Sequence, residues 1–183
     1  KEYMRFFIAI EMSSKEVLSC LDDLGGLNPH LKLVSPEKLH LTLKFLGDVK
    51  MELIPDVIKC LKNICNHFES FDITFKGLGT FPNLNHVRVI WVGIDKNKEK
   101  IIDMHRIIEN NLTNLNLRKD INYHPHLTLA RVKSIKGKEN LKSFLLMHKY
   151  TNFGCFKIKK VELKKSVLRL DGPIYTTIFS QEI

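Results

Sequence analysis

One four-residue string, His-Leu-Thr-Leu, occurs twice in this chain, at His40–Leu43 and again at His126–Leu129. The copies start 86 residues apart (126 − 40), close to half of the 183-residue length. A repeat of that span, present only twice, points to two related lobes and not to a solenoid, which needs three or more stacked units. No stretch rich in Pro, Gly or Ser separates the halves, so residues 1–183 are expected to form a single bilobal domain.

The spacing inside the string has a direct reading. On a strand, residues two apart share a face. His40 and Thr42 therefore point one way and Leu39, Leu41 and Leu43 the other; His126 and Thr128 likewise oppose Leu127 and Leu129. Each strand offers an imidazole and a hydroxyl from an apolar scaffold. One such pair is commonly a satisfied structural detail, whereas two identical pairs at half-chain separation point to a site. Facing each other, they suit phosphodiester chemistry. A neutral histidine takes a proton from attacking water while a protonated one gives a proton to the departing oxygen, and an unperturbed pKa of ~6.5 keeps both forms accessible near neutrality. The threonine hydroxyls are placed to donate to non-bridging phosphate oxygens. This chemistry calls for no metal and no cofactor.

Around the motifs, Arg5–Glu11 reads as a strand buried on both sides. Ser13 and Glu16 have capping-box spacing, opening a helix that Gly25-Gly26 should stop. Lys32–Val34 and Leu39–Leu46 read as strands, and Pro55 suits the first turn of a helix with the apolar stripe Val57, Ile58, Leu61, Ile64, Cys65 and Phe68. Strands are expected near Phe71–Gly77 and His86–Ile94, flanking a turn-rich stretch to Asn83. Further elements are a helix over Lys98–Asn114, a strand at His126–Val132, a short helix near Glu139–His148, and two or three strands around the turn Asp171-Gly172-Pro173. Strands outnumber helices and often adjoin in sequence. The expected class is α+β: a pseudo-two-fold fold, two antiparallel sheets facing a central groove, helices outside.

Composition adds limits. Lysine and arginine (29) exceed aspartate and glutamate (20), a formal charge of +9 that attracts polyanions at long range but also fits solvated lysine-rich helices. Cys20, Cys60, Cys65 and Cys155 form no Cys-x-x-Cys pair and read as buried small hydrophobes in a reducing compartment. No apolar run approaches the ~18 residues of a membrane span, and the apolar N-terminal stretch is too short for a secretion signal. Met4 is a candidate native start. The expected location is the cytoplasm, and the self-contained plan makes a monomer the default.

Together these residues resemble the two-histidine (2H) phosphoesterase superfamily, and more closely the RNA 2′,3′-cyclic phosphodiesterases of bacteria and archaea, once called 2′-5′ RNA ligases. The resemblance spans nearly the whole chain: Arg5-Phe6-Phe7-Ile8-Ala9-Ile10, His40-Leu41-Thr42-Leu43-Lys44-Phe45-Leu46-Gly47, Gly77-Leu78-Gly79-Thr80-Phe81-Pro82, Arg88-Val89-Ile90-Trp91-Val92-Gly93, Pro125-His126-Leu127-Thr128-Leu129-Ala130-Arg131 and Gly172-Pro173-Ile174-Tyr175. It implies hydrolysis of RNA 2′,3′-cyclic phosphate ends to 2′-phosphates, with His40 as proton donor, His126 as proton acceptor, and Thr42 and Thr128 holding the phosphate. The near symmetry of the site leaves the order of the two histidines open. Reversible 2′-5′ ligation would use the same groups. The implied partner is RNA bearing a cyclic phosphate or a 2′-5′ linkage, tRNA fragments among the candidates.

Arg131 follows the second motif where the family carries an arginine, though strict alternation turns it away from Thr128 unless the strand bulges. Lys44 has the parity of His40, yet reads more readily as a solvated strand-end lysine. His124 has the parity of His126; a zinc site with His40 is disfavoured because the acid and base roles need free imidazoles. Tyr123 is read as stacking on a base or packing, Trp91 as core, and His105 and His148 as satisfied helical histidines. Alternative functions are a 2′-5′ oligonucleotide phosphodiesterase and a nucleotide- or RNA-binding module with little turnover. No glycine-rich phosphate loop followed by Lys-Ser/Thr is present.

Overall fold

The computed structural model describes residues 2–134 and 136–183. In chain order the elements are β1 (Tyr3–Glu11), α1 (Lys15–Leu27), β2 (Leu31–Leu33), β3 (His40–Lys50), α2 (Ile54–Cys65), β4 (Phe71–Asn83), β5 (His86–Ile94), α3 (Lys98–Asn111), β6 (His126–Val132), α4 (Lys138–Met147), β7 (Asn152–Ile158), β8 (Lys160–Arg169) and β9 (Gly172–Glu182). Strands pair antiparallel in the order β7-β4-β5-β6-β3-β1-β8-β9, with β2 beside β6. The two expected sheets are the halves β7-β4-β5-β6 and β3-β1-β8-β9, continuous through a single residue pair of β3 and β6, Leu41 with Leu127.

Apolar periodicity explains the layers. β1 buries Phe6, Phe7, Ile8, Ala9 and Ile10 on both faces, as its unbroken apolar run requires. In α2 the residues Ile54, Val57, Leu61 and Ile64 form one buried stripe, and the helix lies over β8 and β9. The other long helices cross between halves. α1 leaves β1 and packs on β7, where Ser14 Oγ donates to the Phe153 carbonyl. α3 leaves β5 and packs on β3. No described helix is long and apolar enough to cross a membrane.

Several local expectations need correction. Ser14, not Ser13, caps α1, its Oγ accepting from Val17 N at 3.0 Å. The helix runs through Gly25-Gly26 to Leu27, since the sheet packed beneath it outweighs the weak propensity of two glycines. The stretch Gly77–Asn83 is strand, not turn. β4 bends at Gly77, whose φ of +79° and close approach to the Lys149 carbonyl exclude a side chain, then continues to Asn83. Cys20 and Cys65 are buried as expected, but Cys60 is half-buried and Cys155 exposed.

Candidate active site

β3 and β6 meet at equivalent positions of the two motifs, Leu41 and Leu127, each one residue after its histidine. Carried one residue either way, that register sets His40 opposite Thr128 and Thr42 opposite His126. Both leucines are fully buried, so alternation puts the four polar side chains on the other face. All four line one cleft of about 460 Å³, a volume within the usual range for small-ligand sites.

The two imidazoles are anchored by the same device. His40 Nδ1 lies 2.8 Å from the Lys38 carbonyl, and His126 Nδ1 lies 2.6 Å from the His124 carbonyl. A carbonyl only accepts, so Nδ1 carries the hydrogen and Nε2 remains as the atom that takes or gives a proton. Aromatic rings wall each histidine. Phe7 and Tyr175 stand 5.0 and 5.4 Å from the His40 ring, the latter edge-on, and Phe81 stands edge-on at 4.9 Å from His126. Burial pushes both pKa values below 6.5, opposed in each case by the carbonyl bond; at His126 the Arg131 guanidinium lowers it further.

A matched pair of β-bulges completes the cleft. On β3 the register against β1 jumps from Thr42 (with Ala9) to Lys44 (with Ile8), leaving Leu43 as the extra residue. On β6 the register against β5 jumps from Thr128 (with Trp91) to Ala130 (with Ile90), leaving Leu129 as the extra residue. Leu43 and Leu129 are again 86 apart (129 − 43). Each bulge inverts the face of the residues directly beyond it. Arg131 thus returns to the cleft beside Thr128, against strict alternation, and its counterpart Phe45 lines the same cleft.

The same inversion overturns both readings of Lys44. It is turned away from the cleft and is only 2% exposed, its ammonium on the Glu109 carboxylate of α3 and donating to the Arg118 carbonyl at 2.7 Å. The bulge is held from the other half of the molecule. His105 Nδ1 lies 2.6 Å from the Leu43 carbonyl, and the Tyr123 hydroxyl donates to the Thr42 carbonyl at 2.8 Å. Tyr123 stacks on His105 at 3.8 Å, so it packs and does not reach the cleft. At the β6 bulge a backbone group does this work, Val34 N donating to the Leu129 carbonyl at 2.8 Å.

A family model of the 2′-5′ RNA ligase superfamily matches residues 22–166. The chain belongs to that superfamily. It is 37% identical over 177 residues to an RNA 2′,3′-cyclic phosphodiesterase of Methanocaldococcus jannaschii, covering 96% of this chain and 98% of that one. To the protein of the same name from Methanothermobacter thermautotrophicus it is 32% identical over 176 residues, covering 94% and 95%. Among solved structures, TT0787 of Thermus thermophilus matches with a TM-score of 0.82 at 26% identity over 98% of this chain and 97% of that one. Escherichia coli LigT complexed with 3′-AMP matches in fold with a TM-score of 0.80 at 21% identity, over 100% and 99%.

For this member of the 2′-5′ RNA ligase superfamily, all five residues singled out from sequence, His40, Thr42, His126, Thr128 and Arg131, line one cleft. Lys38, Phe45 and Tyr175 line it too and are not among the site residues that the sequence singles out. Lys38 supplies the carbonyl for His40, and its Nζ donates to the Pro173 carbonyl at 2.7 Å. Phe45 and Tyr175 lie inside blocks that carry the family resemblance, which is the available signal. Trp91 is not simply core. Paired with Thr128, it stands on the cleft side over Gly79, its ring 6.2 Å from His126 and 4.8 Å from the exposed His124. The described residues hold one cluster of metal-ligand type, His105, Glu109 and Asp120, and Lys44 already occupies its glutamate.

Proposed function

We propose that this chain hydrolyses RNA 2′,3′-cyclic phosphate ends to 2′-phosphates by acid–base catalysis between His40 and His126, without a metal ion. The observation that carries the reading is the reciprocal placement of two Nδ1-anchored imidazoles in one cleft, each opposite the threonine of the other motif. The cyclic phosphate sits between them. Water attacks phosphorus as neutral His126 Nε2 takes its proton; the P–O3′ bond breaks, and protonated His40 Nε2 gives its proton to O3′. Thr42, Thr128 and Arg131 donate to the non-bridging oxygens, where charge gathers in the transition state.

Arg131 supports this order of roles. Its positive charge disfavours a protonated His126 with no carboxylate opposing it, whereas at His40 the like effect of Lys164 is opposed by Glu11. The neutral base is therefore assigned to the His126 side. With a 5′-hydroxyl in place of water, the same proton transfers form a 2′-5′ linkage. The relatives named RNA 2′,3′-cyclic phosphodiesterase support the substrate class. The enzyme so read works as a cytoplasmic monomer, one domain with one cleft.

The test is hydrolysis of a 2′,3′-cyclic phosphate dinucleotide in excess EDTA, with the product assigned by phosphorus NMR. Only the 2′-phosphate should form. A 3′-phosphate product, or turnover that stops with EDTA, contradicts the reading.

A further inference from the structure

Positive charge leaves the cleft along one two-stranded ribbon. In the β2–β6 ladder Lys32 stands directly opposite Arg131. The ladder continues past the end of β6, where Lys133 N donates to the His30 carbonyl at 3.1 Å, setting His30 opposite Lys133. Residues two apart on a strand share a face. Arg131 and Lys133 on one strand, and Lys32 and His30 on the other, therefore form a two-by-two cluster on the cleft side. Lys32, Arg131 and Lys133 are exposed and His30 is half-buried.

Like charges directly opposite each other destabilise an antiparallel pair. Here no carboxylate among the described residues lies within ion-pair distance of Lys32, Arg131 or Lys133, whereas the buried Lys44 and Lys164 each sit on glutamates. A bound polyanion offsets that repulsion. The geometry of the substrate says which one. A nucleotide carrying a 2′,3′-cyclic phosphate can continue into a polymer only through its 5′ oxygen. Lys32 and Arg131 line the cleft itself, and His30 and Lys133 continue the ribbon from them, so the strand that precedes the cyclic nucleotide has a basic path out of the cleft.

We infer that the ribbon formed by His30, Lys32, Arg131 and Lys133 is the track for single-stranded RNA on the 5′ side of the cyclic end, its phosphodiesters seated on Lys32 and Lys133. This rests on the cyclic phosphodiesterase reading and extends it: the preferred substrate is an oligonucleotide and not a free cyclic mononucleotide.

The experiment compares kcat/KM for 2′,3′-cyclic UMP with that for a six-nucleotide RNA ending in the same cyclic phosphate. Wild type is set beside Lys133→Gln and His30→Gln/Lys133→Gln, between 50 and 200 mM salt. In parallel, anisotropy follows binding of a 5′-labelled hexamer ending in a 2′-phosphate, which needs no turnover. Wild type should favour the hexamer by about tenfold or more. Lys133→Gln should weaken hexamer binding and flatten its log–log salt slope by roughly 0.7, the value for one single-strand phosphate contact, while cyclic UMP hydrolysis stays unchanged. Equal use of both substrates by wild type, or an unchanged salt slope in the variants, overturns the track. If neither substrate turns over, the catalytic reading falls, and the anisotropy slopes still decide the track in the same way.

Discussion

Leu41 of β3 pairs with Leu127 of β6, and the two are the same position of a repeated motif. Equivalent residues facing each other across antiparallel strands place a local two-fold axis between them. The histidines and threonines flanking these leucines are therefore arranged about that axis, and the cleft inherits its near symmetry. The symmetry is broken beyond the bulges, where one strand presents Phe45 and the other Arg131, as well as in the aromatic walls around the two histidines.

That asymmetry has a pH signature. Burial first, then Arg131, depresses the His126 pKa below 6.5, and burial depresses that of His40. The base must be neutral and the acid protonated, so kcat/KM should trace a bell with its maximum on the acid side of pH 6.5. Activity falls at low pH as His126 gains its proton. Arg131→Gln removes a charge that opposes that protonation, so the acidic limb should move to higher pH as kcat/KM drops. A limb that stays in place in the variant argues against Arg131 acting on His126.

The threonines are expected to act on the transition state. Thr42→Val and Thr128→Val each remove a donor and preserve shape, and each should lower kcat by roughly 10²–10³-fold, the loss typical of one oxyanion donor. Thr→Ser at either position should recover most of the rate. Steady-state kinetics showing a change in KM alone would assign the hydroxyls to ground-state binding.

Lys44→Met leaves Glu109 without its buried partner. Breaking such a pair by removing one member costs about 3–5 kcal/mol, which a urea unfolding curve would register as a lower midpoint. The double variant Lys44→Met/Glu109→Leu should recover much of the loss. Equal destabilisation in both would mean that packing, not charge, holds this contact.

Gly79 lies under Trp91, and a Cβ there would stand 2.2 Å from the indole ring. Gly79→Ala must displace Trp91, whose ring packs on Phe81 and stands 6.2 Å from His126. Overpacking of this kind costs about 1–3 kcal/mol. Activity should fall together with the melting temperature, and an unchanged rate would show that this wall does not position the histidine.

Much of this site is legible in the sequence because it is written twice. Period-two alternation places His40, Thr42, His126 and Thr128 on one face without any knowledge of tertiary structure, and the outer strands and helices follow from apolar stripes. Alternation fails one residue later. The bulges at Leu43 and Leu129 carry no local signature, since neither position is a glycine, and they are stabilised from a distance by His105, Tyr123 and Val34. For that reason alternation puts Lys44 on the wrong face, and Arg131 is drawn to the cleft only by family resemblance. Trp91 escapes for a related cause: an apolar residue in an apolar strand gives no sign that its face borders a cleft.

That two histidines share one proton-transfer cycle is tested most directly by single-turnover hydrolysis of a 2′,3′-cyclic phosphate RNA. Wild type, His40→Ala, His126→Ala and the double variant are compared in EDTA, with folding checked by circular dichroism. Each single variant should lose about 10²–10⁴-fold in rate, and the double should lose far less than the product of the two, because the residues act as a unit. A single variant that keeps the wild-type rate would contradict the account.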